Sequence, residues 1–132
     1  SSREGDGMKK ISLLVTLLIC LCASTVFAYS STYYPEDVAT VMENSMDGDK
    51  VIFIGKLTCE NEKNETVELK NADEISQANL MLKDETGQIR AEIDAAKVRL
   101  YKVELNKTMR FFGQYVNVGD IEKFVIQRVE TI

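Results

Sequence analysis

Hydrophobic and polar residues alternate along both halves of residues 80–94, LMLKDETGQIRAEID. The alternation has a period of two, and the short polar stretch 84–87 separates its halves. This pattern predicts a β-hairpin with a glycine-containing loop. We expect Gly87 to have a positive φ, which such loops often require near their end. An isolated hairpin is marginally stable in water, so further strands are expected to complete a sheet.

Three other stretches have the composition of β-strands. Residues 50–58 are rich in Val, Ile and Phe, and their apolar residues on both faces predict burial on both sides near the start of the strand. Residues 107–117 alternate as the hairpin does, and residues 123–130 form a last strand. Together with the two hairpin arms, 80–84 and 88–94, they give five predicted strands.

Glycines interrupt two of these predicted strands. Gly55 lies within 50–58 and Gly113 lies within 107–117. A glycine inside a strand is typical of a bulge or bend, which lets one strand contribute to two halves of a small barrel. Because long βαβ alternation is missing, the sheet is predicted to be mainly antiparallel. The predicted fold is all-β, a small five-stranded antiparallel Greek-key barrel of the OB type, with an open β-sheet and one packed helix as the alternative.

Helical spacing is clearest before the first strand. Residues 36–45 repeat apolar residues at helical intervals, with a proline and acidic residues at the start, and predict one N-terminal α-helix. Residues 95–101 fit a short helix or a turn. The polar segment 59–79 is predicted to be a solvated loop; a short strand at 66–69 and a helical turn at 72–78 are the alternatives within it.

The N-terminal region differs in composition from the rest of the chain. A methionine and two lysines precede an apolar run, residues 11–28, that ends in small residues. This pattern predicts a secretory signal peptide over residues 8–28, cleaved after Ala28. A retained anchor is the alternative, since the run reaches the lower length limit of a membrane span. Residues 1–7 are interpreted as a cloning scar or upstream extension, and residues 29–132 as the folded domain.

The expected exported domain is acidic. The full chain has 16 Lys and Arg against 21 Asp and Glu, and removal of three of those bases and two of those acids leaves a net charge of −6. Such a domain repels phosphate backbones, so nucleic acid is an unfavourable partner. The chain has no histidine and the domain has no Gly-rich phosphate loop, so we expect no enzyme, no metal site and no cofactor. Cys59 is the domain's one cysteine, and no internal disulfide is expected.

The hairpin loop is the first candidate for a special role. Asp84 and Thr86 are predicted to hold the turn by hydrogen bonding to backbone groups, with Asp94 closing the second arm. The alternative is a weak cation site formed by the paired acids of the loop.

The strand surface is the second candidate. Alternation places Phe112 opposite a core-facing neighbour, so Phe112 is predicted to be exposed. With Arg90, Arg110 and Lys83 nearby, it would form a small patch for an anionic or sugar-like ligand. An ordinary cross-strand Phe–Arg surface pair is the alternative.

Four segments together resemble a known family. After the N-terminal helix come DGDKVIFIGKL, LMLKDETGQIRAEID, MRFFGQYVNV and FVIQRVE. This order is similar to the bacterial OB-fold (BOF) family of YgiW/YdeI-like periplasmic stress proteins. The positions that match its motifs are Gly55, Asp84, Thr86, Gly87, Ile89, Ile93, Asp94 and Gly113. The resemblance covers residues 35–132; a missing tryptophan after the hairpin, Asn117 in place of an acid and the long 59–79 segment mark a divergent member.

The resemblance implies a function as well as a fold. It implies an exported, periplasmic, non-enzymatic protein that contributes to envelope stress tolerance. It also implies that a small envelope ligand or an envelope protein binds to the barrel face. The alternative is an oligonucleotide- or oligosaccharide-binding OB module, although export and the net negative charge argue against nucleic acid. The membrane is expected as a partner only through an uncleaved signal segment.

Overall fold

Six strands and three helices are found in the part of the chain that the computed structural model describes, residues 32–60, 63 and 65–132. The strands are β1 (Tyr34–Pro35), β2 (Lys50–Cys59), β3 (Leu80–Lys83), β4 (Gln88–Glu92), β5 (Thr108–Val118) and β6 (Ile121–Thr131). The helices are α1 (Val38–Asn44), α2 (Ala72–Gln77) and α3 (Ala95–Tyr101). The predicted signal segment and its cleavage site lie outside the described residues. None of the described helices has the length and apolar character needed to cross a membrane.

Five of the strands close into a barrel. Their order is β2-β3-β4-β6-β5, and β5 pairs again with β2. Strand β2 belongs to two sides of this barrel, because its residues 50–56 pair with β5 and its residues 56–59 pair with β3. The predicted sharing of the first long strand between two halves of a barrel is therefore confirmed.

The predicted five-stranded antiparallel barrel with one helix differs from the structure in three details. A sixth strand, β1, pairs parallel with the start of β2. Strands β4 and β6 also pair in parallel. Because β5 is antiparallel to both β2 and β6, closing the barrel brings β6 beside β4 in the same direction. Finally, residues 72–77 and 95–101 form α2 and α3, so there are three helices among the described residues.

Helix α1 is shorter than predicted because its cap is Asp37. The Asp37 carboxylate accepts the N–H of Thr40 at 2.8 Å, which satisfies one free donor of the first turn. Pro35, which was expected at the helix start, lies in β1 instead. The fixed φ of proline also suits a short edge strand.

The barrel interior is filled by the inward-facing side chains of its strands. The largest fully buried side chains are Phe53, Leu57, Leu80, Leu82, Ile89, Met109, Phe111, Tyr115, Phe124 and Ile126. Ile75 of α2 also joins this core, so the interpretation of 59–79 as a simple solvated loop is wrong. The predicted burial of both faces near the start of β2 is wrong as well, because Ile54 is 53% exposed.

Two strand glycines are needed for close packing. The register between β5 and β6 shifts between Phe112 and Gly113, which confirms the predicted irregularity there. A Cβ at Gly113 would overlap the carbonyl oxygen of Val125 and come within 2.6 Å of the Phe124 ring. A Cβ at Gly55 would overlap the carbonyl oxygen of Lys83, so glycine allows the end of β3 to lie against β2.

The expected positive φ at Gly87 is wrong. Among the described residues, the glycines with positive φ are Gly48 and Gly119. Gly87 does not need this conformation because hydrogen bonds to the Asp84 side chain close the loop.

Candidate functional site

The loop between β3 and β4 is held by one carboxylate. Oδ1 of Asp84 accepts the N–H of Thr86 at 2.8 Å, the Thr86 hydroxyl at 2.6 Å and the N–H of Gly87 at 3.1 Å. The Asp84 N–H donates to the Gly87 carbonyl at 3.1 Å. Asp84 and Thr86 therefore have the geometry of turn-forming residues.

The same loop also caps α1. Oδ2 of Asp84 accepts the N–H of Val38 at 2.9 Å, and the Thr86 hydroxyl oxygen accepts the N–H of Ala39 at 3.1 Å. Partial burial raises the pKa of Asp84, but the hydrogen bonds from Thr86, Val38 and Gly87 outweigh it and hold this pKa below its ordinary value. The loop is thus fixed to α1 as well as to its own strands.

Asp94 has a separate structural position. It is the N-cap of α3 and accepts the Lys97 N–H at 2.8 Å. The Lys97 ammonium lies 2.7 Å from its other oxygen. Hydrogen bonds from Lys97 hold the pKa of Asp94 below its ordinary value. Asp94 fixes the start of a helix and lies at the far end of β4 from the Asp84 loop.

The paired acids of the loop do not assemble a cation site. Among the described residues, no three Cys, Asp or Glu side chains come together in a way that would hold a metal ion. The Asp84 oxygens already accept four hydrogen bonds from protein donors. The cation-site alternative for this loop therefore has no support in the geometry.

A groove follows the outer surface of β2. Its floor consists of the outward residues Ile52, Ile54 and Lys56. It comprises two adjoining cavities of about 660 and 760 Å³, which share Asp37, Ile54 and Asp84. The groove therefore extends along the strand beyond either cavity alone.

Strand register places different residues on the two sides of this floor. On the β5 side, the partners of Ile52, Ile54 and Lys56 are Phe112, Arg110 and Thr108. On the other side, Pro35 of β1 pairs with Ile52 and Lys83 of β3 pairs with Lys56. The carboxylates of Asp37 and Asp84 line the stretch between them.

The two walls of the groove differ in charge. The acidic wall, formed by the N-terminal end of α1 and the β3–β4 loop, contains Glu36, Asp37, Asp84 and Glu85. The opposite wall contains Arg110, which lies 3.4 Å from Glu130 in a half-exposed ion pair. Lys83, at the end of the groove, forms an ion pair with Glu60. An ion pair this exposed is weak, so Arg110 stays available to a ligand.

Phe112 is not exposed, contrary to the prediction. It is only 6% exposed, because the guanidinium of Arg128 lies 3.9 Å from its ring centre and the Tyr33 ring packs edge-on at 5.6 Å. The Tyr33 hydroxyl donates to Gln127 at 2.5 Å and fixes this cover. The residue still lines the groove, but its faces are occupied by the protein itself.

Arg90 lies apart from the other predicted binding residues. It faces outward on β4, between Met81 of β3 and Lys123 of β6. The β6 partner of Arg110 is Glu130, seven residues beyond Lys123, which is roughly 20 Å along a strand. The structure therefore brings Lys83, Arg110 and Phe112 to one groove and leaves Arg90 on another surface.

Sequence reasoning missed part of the groove. Ile54 was assigned to a buried face. The alternation already places it on the face of the strand opposite Phe53, which points inward. Glu36 and Asp37 were assigned only to a helix start, and Lys56 to no role. Their proximity depends on the Glu36 N–H bonding to the Ile52 carbonyl and on the start of α1 bonding to the β3–β4 loop, long-range contacts for which the local sequence contains no signal.

Comparison with known proteins supports the fold. No protein-family model matches the sequence, and a search of curated proteins finds no match. Among solved structures, the chain is similar to the hypothetical protein ygiW from E. coli, with a TM-score of 0.56 and 14% identity over 75% of this chain and 90% of that chain. It is also similar to a protein assigned as an aspartyl-tRNA synthetase from Leishmania major Friedlin, with a TM-score of 0.51 and 8% identity over 76% of this chain and 21% of that chain.

The barrel topology and these similarities agree on the class of fold. The chain has an OB-type barrel, a closed five-stranded arrangement with a helix between its third and fourth strands. Strand β1 and helices α1 and α2 are additions to that barrel. At such low identities the similarity concerns the fold, and any ligand has to be argued from the groove.

Proposed function

We propose that the protein is a non-enzymatic OB-fold binding protein of the bacterial envelope, which takes a small envelope ligand or a protein partner into the groove along β2. The observation that carries this proposal is Ile54, which is 53% exposed on the groove floor between two carboxylates and Arg110. An aliphatic side chain in a concave surface supplies apolar area for a ligand to cover, while the flanking charges orient that ligand.

The envelope location rests on the sequence. The apolar run 11–28 after two lysines is the pattern of an export signal. The contribution to stress tolerance rests on the resemblance to the bacterial OB-fold family. The similarity in fold to the ygiW protein agrees with that resemblance.

Binding without catalysis fits the groups in the groove. Its lining contains acids, lysines, an arginine and threonines, but no histidine, cysteine or serine. Asp84 accepts hydrogen bonds from four donors and Asp37 caps α1, so both carboxylates have structural roles in the groove wall. Groups held in this way shape a surface and fix its charge.

An oligonucleotide ligand is a weaker candidate. OB domains bind oligonucleotides with their second and third barrel strands, which here are β3 and β4. The outward residues of these strands are Met81, Lys83, Gln88, Arg90 and Glu92, and none is aromatic. Phe112, the aromatic side chain at the groove, is already covered by Tyr33 and Arg128. Stacking of bases, the main source of single-strand affinity, has no platform on either surface.

A matched pair of isoleucine variants tests the proposed site. Ile54→Gln removes the apolar floor, whereas Ile121→Gln changes an equally exposed strand isoleucine at 56% exposure on the β5–β6 hairpin. We expect a deletion strain to grow poorly under peroxide or acid stress. The wild-type gene and Ile121→Gln should restore growth, and Ile54→Gln should not.

A biochemical arm of the same test uses the exported protein as bait. The wild-type protein and both variants would be incubated with envelope extract, with peptidoglycan fragments and single-stranded DNA as separate probes. We expect capture of an envelope component that Ile54→Gln abolishes and Ile121→Gln preserves. A deletion strain that resists stress as its parent does, or an Ile54→Gln protein that behaves as the wild type in both arms, would contradict the proposal.

A further inference from the structure

We propose that the occupant of the groove is an extended polypeptide segment, which turns cationic side chains toward the acidic wall and anionic side chains toward Arg110 while its centre covers Ile54. This inference rests on the groove being the binding site, as proposed above. It goes further by naming the chemical class of the ligand and its orientation.

The shape of the groove suits a single extended chain. Its floor residues Ile52, Ile54 and Lys56 succeed one another along one strand, a span of about 13 Å. One wall stands on β5 and the other on the start of α1 and the β3–β4 loop, so both walls follow the direction of β2. A compact ligand would fill one cavity, whereas a linear segment covers both.

The charge pattern selects a ligand with both signs. At the middle of the groove, Asp37 and Asp84 stand on one side of Ile54 and Arg110 stands on the other. Glu36 and Glu85 extend the acidic wall, and neither forms an ion pair with another described residue. A polyanion would be repelled by the acidic wall, and a polycation would be repelled by Arg110.

An extended peptide can satisfy both walls at once. Its successive side chains point to opposite sides, so alternating cationic and anionic residues present one sign to each wall. Neutral saccharides lack such paired charges, and nucleic acids carry a single sign. The acidic wall is also held in place before binding, because Asp84 and Thr86 are bonded to the start of α1. A preformed wall lowers the ordering cost of binding.

The test uses two peptides of identical composition. Both carry four lysines, four glutamates and a central leucine, which covers the floor; in one the charges alternate, and in the other they stand in two blocks. Binding of each labelled peptide to the exported protein would be followed by fluorescence anisotropy. We expect the alternating peptide to bind roughly tenfold more tightly than the block peptide, with an affinity that falls as salt is added.

Matched variants connect that preference to the groove. Arg110→Gln should weaken the alternating peptide by about fivefold or more, because a charge-assisted contact is lost. Arg90→Gln, which removes an outward strand arginine from another surface, should leave the affinity unchanged. Ile54→Gln should weaken binding and Ile121→Gln should not.

The possible outcomes distinguish failure of the peptide inference from failure of the proposed function. Equal binding of the two peptides, or binding that does not depend on Arg110, would overturn the peptide inference. If neither peptide binds but an envelope component is still captured in an Ile54-dependent way, the peptide inference fails and the proposed function stands. If no ligand of any class depends on Ile54, both fail.

Discussion

The two β-hairpins of the barrel have tips that differ in their surroundings. The loop 84–87 between β3 and β4 is bonded to α1 through Val38 and Ala39. The tip between β5 and β6 is free: Gly119 has a φ of 64°, and a Cβ added there would meet nothing within 4 Å. Its flanking residues Val118 and Ile121 are 65% and 56% exposed.

The difference shows why local sequence is a poor guide to which turn is important. Both tips combine a glycine with an aspartate, residue types that favour turns. In the first, the aspartate closes the loop and reaches a helix 46 positions away in the chain. In the second, Gly119 supplies the positive φ of the turn. The first tip therefore forms a fixed wall of the groove, and the second ends in solvent.

The largest expected effect is the difference in stability loss between substitutions at Gly113 and at Gly87. Gly113→Ala should destabilise the fold by about 3 kcal/mol or more, because the new methyl group would overlap the Val125 carbonyl and the Phe124 ring. Gly87→Ala should change the free energy of unfolding little, since its nearest neighbour would be Val38 Cγ1 at 3.8 Å. Urea denaturation of both variants measures this contrast. Equal losses in the free energy of unfolding would show that Gly113 does not pack against Val125 and Phe124 in this way.

The second effect compares the two tip aspartates. Asp84→Asn should cost about 2 kcal/mol, because an amide nitrogen would face the N–H donors of Val38 or Thr86 and the charge that caps α1 would be lost. Asp120→Asn, at the exposed tip, should be close to neutral. The same denaturation experiment measures both. A neutral Asp84→Asn would mean that the loop does not anchor α1.

The third effect is the pH dependence of the stability that Asp84→Asn loses. The pKa of Asp84 in the folded protein lies below its ordinary value, so Asp84 stabilises the fold at pH values above its unfolded pKa, about 4. This stabilisation is lost as the pH falls through the folded pKa. The stability difference between wild type and Asp84→Asn should therefore be constant from about pH 7 to 5 and shrink below about pH 4.

Melting temperatures over this pH range measure the trend. Asp94, whose pKa is also lowered, is present in both proteins, so its contribution cancels. A difference that stays constant down to about pH 3 would contradict a role for the ionised Asp84 carboxylate.

The smallest effect concerns the free tip. Gly119→Ala should cost about 1 kcal/mol, because alanine is strained at this positive φ although space for its methyl group is open. The loss should appear in denaturation without any change in peptide binding. A loss as large as that of Gly113→Ala would indicate contacts at this tip that the structure does not contain.

Much of the barrel was predictable because its signals are local. Period-two alternation located β2 to β6 within a few residues, and Gly113 was correctly assigned to an irregularity. The parallel pairing of β4 with β6 was not predictable in this way, since it follows from closing the whole barrel. The conformation of Gly87 was predicted wrongly because side-chain hydrogen bonds can close a loop without a positive φ.

The candidate site was only partly predictable for a related reason. Alternation tells which side of a strand a residue faces, but not what covers that side. Phe112 faces outward and is covered by Tyr33, whereas Ile54 faces outward and stays exposed. Arg110 and Arg90 have the same outward parity, yet closure of the barrel places them on different surfaces.

The most direct test of the groove as the binding surface is an NMR titration of the protein with the alternating Lys–Glu peptide. The expected result is a set of amide shift changes concentrated at residues 36–37, 52–56, 84–85 and 108–112, on the acidic wall, the floor and the Arg110 wall. Shift changes concentrated instead around Arg90 and Lys123, on the other side of the barrel, would contradict the account.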